Sequence, residues 1–237
     1  MNHHKMHTKK RRAIDRGYGF AATGATLLLA AANGHAQSLT NYCCLDNLYV
    51  GVEAGGSFAQ EVDILDGTGF NGGGGKIKFQ SGWTVDGVLG YKFCDYFSAE
   101  FESGVIWNNI TAIGGQQLSG VASAHLDEVP VLANGIFTYP LGNFKPFVGF
   151  GVGGAFGFFS GQDFQSLGGP ATYRSMDATA IYQFEIGASY ALLKNLDLGV
   201  QYRFVATSNH DWNNENITLK TSGTLAHLLE ARVTWRF

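Results

Sequence analysis

Several segments of the chain alternate strictly between apolar and polar side chains, which is the pattern of a β-strand with two different faces. In 196–204, leucine, valine, tyrosine and phenylalanine occupy one face, while glycine and polar residues such as Arg203 occupy the other. Three further segments repeat this pattern: 83–93, 180–190 and 229–237. Each predicts a strand whose two sides meet different surroundings.

Four other segments alternate less strictly: 48–58, 97–108, 129–139 and 146–158. The eight predicted strands are joined by short and long connections in turn. The long connections have 18 to 20 residues and are 59–76, 109–127, 159–178 and 205–224. Hairpins with every long loop at one end predict an all-β fold, an eight-stranded antiparallel up-and-down transmembrane β-barrel over 48–237.

The distribution of aromatic residues indicates which face of the barrel points outward. The apolar face carries the bulky rings, and they gather near both ends of the predicted strands, as lipid-facing aromatics do. A soluble barrel would instead point its apolar face inward around a ligand. The opposite face is charged or small, with Gly149, Gly151 and Gly153 as examples, which suits a narrow eight-stranded interior. We therefore expect the apolar face to contact a lipid bilayer.

The amino-terminal region has the three parts of a secretory signal peptide. Residues 1–16 hold six basic side chains and one acid, and 17–32 are small and apolar. Gly34 and Ala36 then follow at the spacing that a signal peptidase recognises, which predicts removal of 1–36 by cleavage after Ala36. Residues 37–47 form a predicted periplasmic segment before the barrel.

The composition agrees with a strand-rich exported protein and argues against a nucleic-acid partner. Charged residues make up 15% of the chain, aromatic residues 14%, and glycine accounts for 33 of the 237 residues. This mixture suits many short strands better than long helices. Without 1–36, 10 basic and 18 acidic side chains remain, a net charge of −8. Phosphate binding needs a basic face, so no nucleic acid is expected to bind.

Three segments resemble the small outer-membrane β-barrel family, the group with OmpA-like transmembrane domains and related bacterial surface antigens. They are LYVGVEAGGSF (48–58), VPVLANGIFTYPLGNFKPFVGFGVGGAF (129–156) and ARVTWRF (231–237). The resemblance implies an outer-membrane location. It also implies that the aromatic end of the last strand, Trp235 and Phe237, is the assembly signal read by the barrel-assembly machinery. Arg232 stands where that signal often has glycine.

The inward face of the predicted barrel carries seven acidic and four basic side chains, which we interpret as an interior charge network. Its members are Glu53, Asp86, Glu100, Glu102, Glu185, Asp197 and Glu230, with Lys92, Arg203, Arg232 and Arg236. Ion pairs and hydrogen bonds would make the network a structural plug in a lumen too narrow for a channel. The excess of three acids supports an alternative, a narrow cation-preferring porin, because unpaired carboxylates attract cations.

The predicted mature chain has three cysteines, Cys43, Cys44 and Cys94, too few for a disulfide-built scaffold. All three are predicted at the periplasmic rim, so we expect Cys94 to pair with Cys43 or Cys44, a bond that secretion permits. It would close a loop of about 50 residues and stabilise the fold by about 3 to 4 kcal/mol in the loop-entropy treatment. Three free thiols are the alternative.

The sequence favours a non-enzymatic protein with an envelope-structural or surface-contact role through its long loops. The hydrophobic anchors in those loops are Phe70, Phe164, Tyr173 and Trp212, and they identify no extracellular ligand. No catalytic, cofactor-binding or metal-binding residue is assigned, and no two of His125, His210 and His227 have the spacing of metal ligands.

A lipid-modifying enzyme is the third function considered. It would need His210 or His227 beside a serine and an acid at the outer-leaflet rim. In the last long loop, the neighbours of His210 along the chain are Ser208, Asp211 and Glu215.

Overall fold

The computed structural model describes residues 47–68, 74–118, 122–163, 171–214 and 217–237, which all belong to the compact unit Cys44–Phe237. The predicted signal peptide, its cleavage site after Ala36, and Cys43 and Cys44 lie outside the described residues. Within the described ranges, no helix is long and apolar enough to cross a membrane. The strands are β1 (Leu48–Ala59), β2 (Val62–Thr68), β3 (Gly75–Phe79), β4 (Gly82–Cys94), β5 (Phe97–Ile113), β6 (Gln116–Gln117), β7 (Ser123–Thr138), β8 (Phe144–Gln162), β9 (Thr172–Ala191), β10 (Leu196–Thr207), β11 (His210–Asn214), β12 (Ile217–Thr221) and β13 (Leu225–Arg236).

Eight of these strands form a closed antiparallel ring in the order β1, β4, β5, β7, β8, β9, β10 and β13, and β13 pairs back to β1. On β1, Val52 lies opposite Gly87 of β4 on one side and opposite Val233 of β13 on the other. Every strand of the ring is therefore paired on both sides, which is the condition for a sheet that spans lipid. The predicted eight-stranded antiparallel barrel is confirmed.

Side chains of the ring alternate between the lumen and the outer surface. On β10, Arg203 is 1% exposed whereas Val200 is 63% exposed. The apolar face is thus the outer face, as predicted from the positions of the aromatic residues. Glycine is required where neighbouring strands approach closely: a Cβ built on Gly153 of β8 would overlap the carbonyl oxygen of Val131 on β7.

Two hairpins lie outside the ring, at the end of the barrel that carries the long connections, and we call this the long-loop end. The hairpin β2–β3 is joined to β5 through β3, and the hairpin β11–β12 is joined to β2 through β12. The strands β8 and β9 have 19 and 20 residues, roughly twice the length needed to cross a bilayer. The sequence-based strands end too early, because much of 59–76, 109–127, 159–178 and 205–224 continues the sheet.

The extended sheet encloses a second hydrophobic core at the long-loop end, which we call the apolar cap. Its buried members are Val62, Ile64, Ile77, Ile110, Ile113, Leu118, Ala124, Leu126, Phe159, Tyr173, Trp212 and Leu219. The Trp212 indole N–H donates to Thr221 Oγ1 at 3.1 Å, and the Tyr173 hydroxyl donates to the Trp212 carbonyl at 3.2 Å. Tyr173 and Trp212, named from the sequence as hydrophobic anchors of the long loops, are both buried in this cap. Phe70 and Phe164 lie outside the described residues.

We expect Trp212→Ala to loosen the hairpin β11–β12. Loss of a buried tryptophan costs roughly 3 to 5 kcal/mol, so backbone amides in this hairpin should exchange hydrogen at least about tenfold faster. Hydrogen exchange read by mass spectrometry measures the rate. Leu65→Ala, at a side chain 56% exposed on β2, is the matched control and should leave exchange unchanged. Equal rates in Trp212→Ala and the unaltered protein would show that the cap does not hold the hairpin.

Candidate functional site

Arg203, from β10, is the centre of the charged interior. One of its amino groups donates to Asp86 Oδ2 and to Glu230 Oε1, both at 2.7 Å, and the other donates to Glu102. The Oε2 atom of Glu53 lies 3.8 Å from the Nη1 atom of Arg203. Arg203 and these four carboxylates are almost fully buried, so their charges are compensated mainly by one another.

Arg232, from β13, is a second cation nearer the short-turn end. It contacts Glu53 Oε1 at 3.0 Å and donates to Glu100, while its Nε donates to Thr234 at 3.3 Å. The hydroxyl of Tyr49 also donates to Glu100, at 2.6 Å. Glu53 therefore lies between the two arginines and links their ion pairs into one network.

Side-chain amides complete the network. Gln201 donates to Glu53 at 2.7 Å and to Glu230 at 3.0 Å, and Gln183 donates to Glu102 at 2.8 Å. Asn134 donates to the same Glu102 oxygen at 2.6 Å. These amides share the inward face with the charged residues, so their period-two position could have identified them although the sequence analysis gave them no role.

The network is rich in acid. Among the described residues it holds six buried carboxyl groups and two guanidinium groups: Glu53, Asp86, Glu100, Glu102, Glu185 and Glu230, with Arg203 and Arg232. Glu185 faces the same space, and its Oε1 has no hydrogen-bond partner in the part of the chain that the structure describes. No cluster of histidine, cysteine or acidic residues in that part could hold a metal ion.

The remaining three predicted members lie apart from this network, at the short-turn end. Asp197 contacts Lys145 at 3.0 Å and Arg236 at 2.8 Å, while Lys92 contacts Asp95 at 2.7 Å. The hydrogen bond from Lys92 lowers the pKa of the Asp95 carboxyl below its ordinary value. The eleven predicted residues thus form two groups, and Lys145, which was not predicted, belongs to the second.

An apolar layer lies between the network and the long-loop end. It consists of Ile106, Leu132, Ala155, Ile181, Val205, Ala226 and Leu228, each at most 2% exposed. Above it lies a polar layer around His210, whose Nδ1 is 3.2 Å from Asp177 and whose Nε2 is 3.1 Å from the Thr207 hydroxyl. From the short-turn end upward, the lumen therefore contains a charged layer, an apolar layer, a polar layer and the apolar cap.

The two histidines considered for a lipid-modifying enzyme, His210 and His227, have different partners among the described residues. His210 is buried in the lumen and contacts Asp177 and Glu128, which are distant along the chain from the neighbours Ser208 and Asp211 considered from the sequence. His227 faces outward, and its ring nitrogens lie 2.8 Å from Gln60 and 2.6 Å from the Tyr202 hydroxyl. Glu215 lies outside the described residues.

Two other sequence-based expectations concern the ends of the barrel. Trp235 and Phe237 both point outward and are exposed on the lipid-facing surface. Cys94 is exposed, and its thiol is free within the described ranges. Its predicted partners are not among the described residues, so the disulfide stays a prediction.

Arg203→Gln should destabilise the barrel by about 3 to 5 kcal/mol, because it leaves buried carboxylates without their cation. Urea unfolding in lipid vesicles measures the free energy. Low pH should reduce the difference in unfolding free energy between Arg203→Gln and the unaltered protein, since protonated carboxyl groups need no positive partner. Lys194→Gln, which removes one exposed positive charge from a short turn, is the control. If both variants unfold at the same urea concentration as the unaltered protein, Arg203 does not neutralise the interior.

Three solved structures of outer-membrane or surface proteins have a fold similar to that of this chain. The outer-membrane protein AlkL, in lipid bilayers, matches with a TM-score of 0.55 and 15% identity over 81% of this chain and 90% of its own. Neisserial surface protein A matches with a TM-score of 0.49 and 18% identity over 81% and 97%, respectively. The outer-membrane protease OmpT from Escherichia coli matches with a TM-score of 0.46 and 9% identity over 82% and 98%.

No protein-family model matches the chain, and the comparison with curated protein sequences gives no match. A shared fold does not determine a shared activity. At these identities the likeness concerns architecture. The chain has the fold of the small outer-membrane β-barrel proteins.

Proposed function

We propose that this protein is a bacterial outer-membrane barrel with a sealed lumen, and that it serves the cell envelope or surface contact without catalysing a reaction. The outer surface supports the membrane location. Exposed aromatic side chains project outward in two belts, near the short turns (Phe93, Phe137, Tyr139, Phe144, Tyr190 and Trp235) and near the long loops (Phe58, Trp83, Phe158, Tyr182 and Tyr202). Exposed aliphatic residues such as Val52, Leu89 and Val200 lie between them, where hydrocarbon would be.

The observation that supports a sealed lumen is that successive layers of buried side chains fill it. Arg203 and Glu102 of the charge network are 1% exposed, and so are Ile106 and Leu132 of the apolar layer above them. Side chains that line a water-filled pore would be exposed to that water. The structure therefore supports a plug more strongly than the alternative, a narrow cation-preferring porin.

The long-loop end supports a role in surface contact. Its hairpins are ordered by the apolar cap, and their outward faces carry exposed side chains of both charges. Lys78 contacts Glu61 at 3.0 Å, and Lys220 contacts Asp211 at 3.6 Å. Because exposed ion pairs of this kind contribute little to stability, their charged groups are free to exchange partners with a molecule outside the cell.

Planar-bilayer recording tests the sealed lumen. We expect purified protein, shown to be folded by heat-dependent gel migration, to produce no steady conductance above that of the lipid alone. Glu102→Gln, which neutralises one network carboxylate, is the matched variant and should be equally silent. Steady cation-preferring currents that fall in Glu102→Gln would overturn the plug and favour the porin.

Epitope tags test the orientation. Turn glycines with positive φ mark both ends of the barrel: Gly115, with φ 86°, at the long-loop end, and Gly142, with φ 65°, at the short-turn end. A Cβ at either position would meet no atom within 4 Å, so both turns have room for an insertion. A tag after Gly115 should bind antibody on intact cells, and a tag after Gly142 only after permeabilisation. The reverse result would contradict the assigned orientation.

A further inference from the structure

A cavity of about 350 Å³ opens at the short-turn end of the barrel, below the charge network, and we call it the vestibule. All eight strands of the ring contribute to its wall, so it lies on the barrel axis. Its volume is in the range of small-molecule sites. Polar side chains that face it include Lys92, Lys145, Arg236, Ser98, Thr138 and Ser189.

The charges around the vestibule favour an anion. Four cations, Lys92, Lys145, Arg232 and Arg236, line it together with three carboxylates. Asp197 is shared by Lys145 and Arg236, and Glu100 pairs with Arg232. The third carboxylate, Asp95, has a side chain 75% exposed to solvent. The Lys92–Asp95 pair is therefore screened by water, and the vestibule is left with one more positive than negative charge.

Arg232 separates this cationic space from the acid-rich network. It lines the vestibule together with Glu100, which it contacts, and it also contacts Glu53 of the network. Because its guanidinium is paired with both carboxylates, it reduces the repulsion that they would exert on an incoming anion.

The hydrogen-bond donors of the vestibule are incompletely used. The Nε atom of Arg236 is buried and has no acceptor among the described residues. The Lys145 ammonium has three N–H groups, and its contact in the described chain is Asp197. A buried donor without a partner is costly, and it marks a position where an acceptor would be favourable.

We propose that the vestibule binds the terminal carboxylate of a short peptide from the periplasmic side. The carboxylate would accept from Arg236 and Lys145. The hydroxyl groups of Ser98, Thr138 and Ser189 suit the amides of a peptide, and the ring of Phe147 suits a small apolar side chain. Free short-chain carboxylic acids share the charged group, so the test must separate the two sources.

Calorimetric titration of the full chain, folded in detergent micelles at low salt, provides the test. The probes are N-acetyl-D-alanyl-D-alanine, its carboxyl-terminal amide, and propionate. We expect the peptide acid to bind and its amide to bind at least about tenfold more weakly, because the amide lacks the charge that Arg236 and Lys145 attract. Binding in micelles does not depend on the orientation of the barrel, so this test and the tag experiment can fail separately.

Two variants at the site and one distant control complete the design. Arg236→Gln and Lys145→Gln should each weaken binding of the peptide acid about tenfold, and heat-dependent gel migration checks that both fold. Lys220→Gln removes the same kind of charge at the long-loop end and should bind like the unaltered protein. Equal binding of acid and amide, no binding at millimolar peptide, or unchanged affinity in both site variants would overturn the proposal. If propionate displaces the peptide at equal concentration, the carboxylate alone suffices, and if it does not, the peptide portion contributes.

Discussion

Closure of the sheet is the constraint on which the rest of the structure depends. In hydrocarbon, an unpaired backbone amide or carbonyl finds no water to bind, so a spanning sheet must pair its last strand with its first. Here β13 pairs with β1 along eleven residues, from Tyr49 opposite Arg236 to Ala59 opposite Ala226. Closing a ring of eight strands leaves an interior just wide enough for side chains. Glycines and a compact charge network are what fits inside.

The polar interior also determines which face of each strand points toward the lumen and which points toward lipid. Side chains alternate along a strand, so a shift of one residue in pairing would turn Arg203 and Glu230 toward lipid and Val200 toward the lumen. Charged residues on the lipid face are strongly unfavourable near the middle of a bilayer. Buried ion pairs add little net stability compared with apolar packing. Their value here lies in discriminating against the shifted register.

The membrane-spanning part could be predicted from the sequence because apolar and polar side chains alternate there without interruption. Throughout this part the apolar side chains point outward and the polar or small ones point inward. On β10, the odd positions from Asp197 to Arg203 are polar or glycine and point inward, as expected. The partners within the lumen could not be predicted, since Arg203 meets Asp86 and Glu102 only after distant strands close into a ring. A pattern along one strand specifies a face and contains no information about which residue lies across the lumen.

The long-loop end could not be predicted for a different reason. On β9, inward Glu185 and Gln183 are polar, but inward Ile181 and Tyr173 are apolar. The apolar side chains move from the outside of the barrel to its inside where the strand leaves the lipid, because the surroundings change from hydrocarbon to water. A strand prediction that expects apolar residues on the outer face everywhere therefore ends each strand where it leaves the bilayer. The pairing of β12 with β2 joins segments about 150 residues apart, and no local pattern reports such a contact.

The length of β8 and β9 determines how far the protein stands above the membrane. A strand of 20 residues rising about 3.3 Å per residue and tilted by about 40° is roughly 50 Å tall. The hydrocarbon band of such barrels is about 25 Å tall, so roughly half of the strand projects beyond it. The packed apolar cap holds the hairpins on this projecting part of the sheet. A partner would therefore meet a rigid surface that lies beyond the lipid headgroups. Such a partner would lose little affinity to the ordering of flexible chain.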